Sequence, residues 1–296
     1  MSGSTVARHG GLGQDVSGSR PGGPAIGTGA RLARMSTRPE AGLATRAARL
    51  RDLHVPGRPL VLANAWDAAS ARAVEQAGYA AVATGSAAVA ASLGFGDHEA
   101  APVDVMLDAV SRIASAVSVP VTADLEAGYG MAPDELVDRL LSTGAVGCNL
   151  EDTDHRTDRL ATVDDQTGWI AAVREAADRS GVPIVINART DVFLRDDGSA
   201  DEQLAEAIRR GRRYRAAGAD CFYPIWVTDE AAIAALVAAV EGSINAYARP
   251  EAPSLARLAE LGVARVSYGP WMHRLAMREL DRALKAIRDG EDPYPR

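Results

Sequence analysis

Residues 119–130 read VPVTADLEAGYG, a stretch that begins as a buried strand and ends in two carboxylates and a glycine loop. Val119, Val121 and Ala123 are the apolar residues that a parallel strand covered on both faces prefers. Asp124 and Glu126 follow two positions apart, so at strand spacing both side chains point the same way. Adjacent negative charges repel unless a positive group sits between them. Gly128 and Gly130 then allow a tight turn beside the two acids.

Working outward, seven more apolar runs of similar length punctuate the chain: PLVLAN (59–64), AAVAT (80–84), AVGCNLE (145–151), VPIVINAR (182–189), ADCFYP (219–224), SINAYA (243–248) and ARVSYG (264–269). Segments of helical periodicity lie between them, several closing on Ala-Gly or Thr-Gly as helix C-caps do. A further helix over about 40–53 carries Leu43, Ala47, Leu50 and Leu53 on one face. Eight strands alternating with helices predict an α/β fold, a (β/α)₈ TIM-type barrel over residues 39–296 with an extra N-terminal helix. The rival is a doubly wound open sheet, which more often brings a Gly-rich phosphate fingerprint after its first strand; NAWDAAS is not one.

Barrel active sites lie at the C-terminal strand ends, and polar residues collect there. The first strand runs out into Asn64, Trp66 and Asp67, the second into Thr84, Gly85 and Ser86. The third ends in Asp124 and Glu126, the fourth in Asn149, Glu151 and Asp152, the fifth in Asn187, Arg189 and Asp191. Tyr223, Asn245 and Ser267 close the ring. Strand parity puts Asn149 with Glu151, and Asn187 with Arg189, on the inner face. Cys148 then points toward the helices as a packing residue rather than a catalytic thiol.

Three inward carboxylates, Asp124, Glu126 and Glu151, can share a divalent cation, and oxygen ligands without His or Cys favour Mg²⁺ or Mn²⁺ over Zn²⁺. Mg²⁺ takes only one or two carboxylates directly, so some of these acids would bind through water. The plain structural reading is a salt bridge from Arg189 to one of them with no metal.

Composition narrows the function classes. The 296 residues are 47% hydrophobic with net charge −7, which argues against nucleic-acid or anionic-membrane partners. No apolar run approaches the ~20 residues that span a bilayer. Two cysteines, Cys148 and Cys221, make no disulfide framework and fit a reducing cytoplasm. Lys285 is the only lysine and lies in an amphipathic C-terminal segment, so Schiff-base chemistry is disfavoured. Residues 1–38 hold nine of the 28 glycines and show no apolar periodicity; they are expected to be a disordered leader. Met35 suggests itself as the natural start.

The segments ATGSAAVAASLGFGD, TADLEAGYG, GCNLED, INARTD and ARVSYGP, in this order, resemble the isocitrate lyase / phosphoenolpyruvate mutase superfamily over nearly the whole chain after the leader. The resemblance implies an Mg²⁺-dependent enzyme that forms a 2-oxo acid enolate. It implies Asp124 as principal metal ligand, with Asp97, Glu126 and Glu151 near the metal, and Glu126 gives D-x-E where many members have D-x-D. It implies that Thr84, Gly85 and Ser86 bind the carboxylate and carbonyl of the substrate and that Arg189 neutralises substrate or oxyanion charge. Strand-end position adds Trp66 and Asn187 as candidate substrate-binding residues, and Arg189, Glu151 and His155 are the candidate catalytic residues. Its members are commonly tetramers that exchange the final helix, so a homo-oligomer is expected, with Leu275, Leu280, Leu284 and Ile287 of the tail available for burial.

The loop after the fourth strand departs from the best-known members. Isocitrate and methylisocitrate lyases carry a Lys-[KR]-Cys-Gly-His segment there, whereas this chain reads EDTDHRTDRLATVDDQTGW, without cysteine or lysine. Isocitrate lyase proper is thereby disfavoured, and the lysine and asparagine of a phosphonate mutase loop are absent too. His155 retains two readings, general acid or base and solvated loop histidine. An oxaloacetate decarboxylase would need no protein base to break its bond. The expected activity is therefore C–C cleavage or decarboxylation of a small di- or tricarboxylate. The alternatives are P–C chemistry and a barrel that binds an oxo acid without turnover.

Overall fold

Eight parallel strands close on themselves because the first of them is shared. In this computed structural model, which describes residues 39–195 and 197–294, β1 comprises Leu60–Leu62 and Asn64–Ala65. Its first half pairs with β8 (Arg265–Ser267) and its second with β2 (Val82–Thr84). Between them run β3 (Val121–Asp124), β4 (Gly147–Glu151), β5 (Val185–Thr190), β6 (Cys221–Pro224) and β7 (Ser243–Tyr247), each parallel to the next. The (β/α)₈ expectation holds, and all eight apolar runs contain a strand. The expected leader, residues 1–38, lies outside the described residues.

Helix α1 (Pro39–Asp52) belongs to the N-terminal end of the barrel. Ala47 and Leu50 are fully buried, and a Cβ on Gly147 at the start of β4 would lie 2.9 Å from Leu50 Cδ2. Arg51 secures the helix: its Nε donates to Asp220 Oδ1 at 2.7 Å and its Nη2 to Pro183 O at 2.8 Å, both just before strands. At the opposite end Asn64 ties three strands together. It donates to Thr84 O at 2.8 Å and accepts from Tyr268 N at 2.9 Å and Gly269 N at 2.8 Å.

Outward-facing Cys148, Leu150, Ile186 and Ala188 are fully buried beneath the helices. Burial pushes the Cys148 thiol up to about 12, in keeping with a packing residue. Among the described residues no helix is long and apolar enough to cross a membrane. The final helix, Trp271–Arg288, leaves Leu280, Leu284 and Ile287 exposed at 49%, 56% and 58%.

Candidate active site at the barrel mouth

The acids of the opening stretch are held in quite different ways. Asp124 ends β3, and the Ser86 N–H and hydroxyl both donate to its Oδ2 at 3.0 Å. Its own N–H donates to Thr84 Oγ1 at 2.9 Å. The second oxygen, Oδ1, is buried without a hydrogen-bond partner, and so is Oδ1 of Asp97.

Glu126, by contrast, has both oxygens engaged. Oε2 accepts from the Glu99 N–H at 2.7 Å and Oε1 from the Tyr129 hydroxyl. Glu99 Oε1 in turn accepts from Tyr129 N at 2.6 Å. His98, Glu99, Glu126 and Tyr129 all have left-handed backbone, with φ of 67°, 55°, 50° and 54°. Such angles are uncommon outside glycine and persist only where surroundings over-determine them. Burial pushes the Glu126 carboxyl up to about 7, against the two hydrogen bonds. This clasp joins the loop after β3 to the loop that carries Asp97.

Glu151 and Arg189 face each other across β4 and β5 in register. Arg189 Nη1 lies 2.5 Å from Glu151 Oε2, and Nε donates to Asp191 Oδ1 at 2.6 Å. Nη2 has no hydrogen bond among the described residues and Arg189 lines the central cavity. His155 Nε2 lies 2.6 Å from Glu151 Oε1. Burial raises the Glu151 carboxyl, partly offset by Arg189 and His155. Burial also works against a charged His155, yet the bond and charge of Glu151 leave its pKa raised. Both partners are thus shifted toward holding a shared proton.

A cavity of about 170 Å³ opens at the C-terminal strand ends, lined among others by Gly85, Ser86, Asp97, Asp124 and Arg189. It is smaller than the ~300–1,000 Å³ of drug-sized sites and suits a small acid. Thr84 and Asn187 lie beneath it as buried supports. Glu151 and His155 line a neighbouring groove instead, with Tyr129 and Trp169. Trp66 lies outside the cavity, edge-on to His273 at 5.1 Å, because Asp67 caps the next helix by accepting from Ser70 N at 2.7 Å. That cap turns the chain away from the mouth. The loop after β4 forms a small antiparallel hairpin, Thr153–Asp154 with Arg159–Leu160.

Among the described residues no three His, Cys, Asp or Glu side chains converge to cage a metal ion. The residues nevertheless fit Mg²⁺ or Mn²⁺ in the manner these cations prefer, one or two carboxylates with water completing the shell. The orphaned oxygens of Asp124 and Asp97 belong to two side chains lining one cavity. Glu126 has both oxygens hydrogen-bonded, whereas Glu151 has Oε1 beside His155 and an Oε2 that lacks a hydrogen bond and sits in the ion pair with Arg189. The cavity is also lined by Tyr223, one of the expected ring of strand ends, and by His98, Tyr247 and Arg274, which are not among the expected site residues. Strand position points to Tyr223 and, by parity with Asn245, to Tyr247, and His98 adjoins Asp97; nothing in the linear pattern brings Arg274 to the mouth.

Comparison with known proteins places this geometry. Residues 50–288 match the family described as phosphoenolpyruvate phosphomutase. A structure from Burkholderia cenocepacia J2315, provisionally described as a phosphonomutase, is 45% identical with a TM-score of 0.77, covering 81% of this chain and 99% of its own. A phosphonopyruvate hydrolase solved with oxalate and Mg²⁺ is 28% identical with a TM-score of 0.71, over 83% of this chain and 88% of that one. The oxaloacetate decarboxylase of Rhodopseudomonas palustris (strain TIE-1) is 29% identical over 241 residues, 78% of this chain and 81% of its own.

Proposed function

The chain belongs to the phosphoenolpyruvate phosphomutase family, within the isocitrate lyase / phosphoenolpyruvate mutase superfamily of lyases and mutases, and from that premise we propose that it is a divalent-metal-dependent lyase or decarboxylase of a small 2-oxo or 2-hydroxy dicarboxylate. One observation carries the reading: Asp124 and Asp97 bring orphaned oxygens to a small cavity that also receives the Arg189 guanidinium. Asp124 and Asp97 would hold Mg²⁺, which supplies Lewis-acid stabilisation of a developing enolate oxygen.

The chain's own residues do the rest. Arg189 is balanced on two sides by Glu151 and Asp191, and its free Nη2 is left to meet a substrate carboxylate or enolate oxygen. Ser86 fixes the Asp124 carboxylate so that one oxygen faces away from it. In decarboxylation of oxaloacetate the C3–C4 bond breaks and CO₂ leaves. The electron pair then becomes the enolate of pyruvate, which takes a proton at C3. The bond-breaking step needs no protein base, consistent with a β4 loop that carries neither lysine nor cysteine.

P–C bond chemistry is the second reading, favoured by the 45% identity to the Burkholderia protein. The protein with Mg²⁺ and either oxaloacetate, 2-methylisocitrate or phosphonopyruvate, followed by NMR, separates them. Pyruvate and CO₂ from oxaloacetate, or pyruvate and succinate from 2-methylisocitrate, supports the proposal. Turnover of phosphonopyruvate alone supports the second reading, and activity untouched by EDTA would sink both. Mg²⁺-dependent oxalate binding without any turnover would mark a binding protein.

A further inference from the structure

Arg265 opens β8, and its side chain is fully buried inside the barrel. Its Nη2 donates to Asn149 Oδ1 at 3.1 Å, while Nε and Nη1 are buried without a partner. Asn187 Nδ2 donates to the same Asn149 oxygen at 2.7 Å. A guanidinium has no acceptor, so the Asn149 atom that faces it must be the carbonyl oxygen. The amide nitrogen is therefore turned away from Arg265 and Asn187. Asn149 lines the central cavity, and its Nδ2 makes no hydrogen bond among the described residues. In the sheet Asn149 is level with Asp124 on the adjacent strand.

We infer that Asn149 is a substrate-binding residue, its N–H donating to an oxygen of the bound acid beside Asp124, and that Arg265 is the positioning residue that locks its amide. The inference rests on the reading of the cavity as a 2-oxo acid site. A merely structural role fits Arg265 poorly. A buried guanidinium with two unpaired donors is costly to the fold, and an apolar side chain of similar length would avoid that cost. What the arginine supplies that methionine would not is a fixed direction for the Asn149 amide.

The probes are Mn²⁺ alone and oxalate in the presence of Mn²⁺, measured by calorimetry on the full chain. Arg265→Met is expected to melt at or above the wild-type temperature and to bind Mn²⁺ within about twofold of wild type. Its oxalate affinity should fall at least about tenfold, the loss of a charge-assisted hydrogen bond. Arg265→Lys, which keeps an obligate donor, should recover most of that loss. Asn149→Asp, which preserves shape and the acceptor toward Arg265 but removes the N–H, should lose oxalate to a similar or greater extent, and it decides the matter if Arg265→Met does not fold. Wild-type-like oxalate binding by Arg265→Met or Asn149→Asp overturns the inference and leaves the proposed function standing. Failure of the wild-type protein to bind oxalate with Mn²⁺ overturns both.

Discussion

Ser86 and Asp124 meet across the barrel mouth through two hydrogen bonds to one oxygen, the backbone N–H and the hydroxyl of Ser86 each 3.0 Å from Asp124 Oδ2. The arrangement satisfies half of the carboxylate and leaves Oδ1 free. Asp124→Ala should abolish divalent-cation binding, read by Mn²⁺ titration with electron paramagnetic resonance. Ser86→Ala keeps the backbone bond but loosens the carboxylate, and groups that orient metal ligands typically contribute ~10–100-fold to affinity. A Ser86→Ala protein with unaltered Mn²⁺ affinity would show that the orientation is immaterial.

Glu126 holds the Asp97 loop through Glu99 N and Tyr129. Glu126→Ala leaves a buried N–H and a hydroxyl unpaired and should destabilise by about 2–3 kcal/mol. Its cation affinity should fall less than that of Asp124→Ala, because Glu126 has no oxygen to spare. Equal losses of Mn²⁺ affinity in the two variants would instead make Glu126 a direct ligand.

Gly128 and Gly130 separate backbone freedom from space. Gly128 has φ +95°, and a Cβ there would lie 2.7 Å from the Trp169 ring. Gly130 has φ +66° and nothing within 4 Å. Gly130→Ala should cost about 1–2 kcal/mol for the left-handed backbone alone. Gly128→Ala adds overpacking and should cost about 2–4 kcal/mol. Denaturant midpoints in the reverse order would refute the assignment.

His54 makes the fold sensitive to acid. Its imidazole donates Nδ1–H to Leu50 O at 2.8 Å, and Nε2 is buried without a partner. Burial, aided by the charge of Arg265, pulls its pKa down to about 4 from the ordinary 6.5. Between those values the unfolded chain binds the proton and the folded one does not. The contribution of this group is therefore complete above pH 6.5 and is lost as the pH falls toward 4. The loss is on the order of 1–3 kcal/mol. His54→Phe should flatten the stability profile between pH 6.5 and 4.5, whatever it does to the value at pH 7. An unchanged acid limb would locate the sensitivity elsewhere.

The exposed Leu280, Leu284 and Ile287 of the last helix form an apolar face that a second copy of the chain would cover. Sedimentation should report an oligomer, a dimer or tetramer, and Leu280→Asp with Leu284→Asp should release monomers. A wild-type monomer at micromolar concentration would rule this association out.

Much of this was written along the chain. The alternation of short apolar runs with helical segments specified the barrel, and period-two parity put Asp124, Asn149, Asn187 and Arg189 on the inner face while sending Cys148 outward. Parity failed where strands ended. Trp66 follows the last residue of β1, and the cap at Asp67 rather than strand spacing sets its direction. Arg265 was open to the same parity argument, since it shares a face with Ser267, yet an arginine inside an apolar run reads as an exposed edge.

The sequence by itself determined the number of strands, the identity of their polar ends and the absence of a lysine or thiol from the β4 loop. Those properties are local: they depend on side-chain spacing along one segment. Only the tertiary structure decided which acids keep a free oxygen. Asp124 and Glu126 are two residues apart and look equivalent in VPVTADLEAGYG, but Ser86 reaches one, and Glu99 and Tyr129 saturate the other. Ser86, at the start of the helix after β2, and Glu99, in the loop that carries Asp97, lie 38 and 27 residues away from the acids they touch. What a carboxylate can bind depends on the lone pairs its neighbours leave unfilled, and those neighbours are brought together only by closure of the barrel.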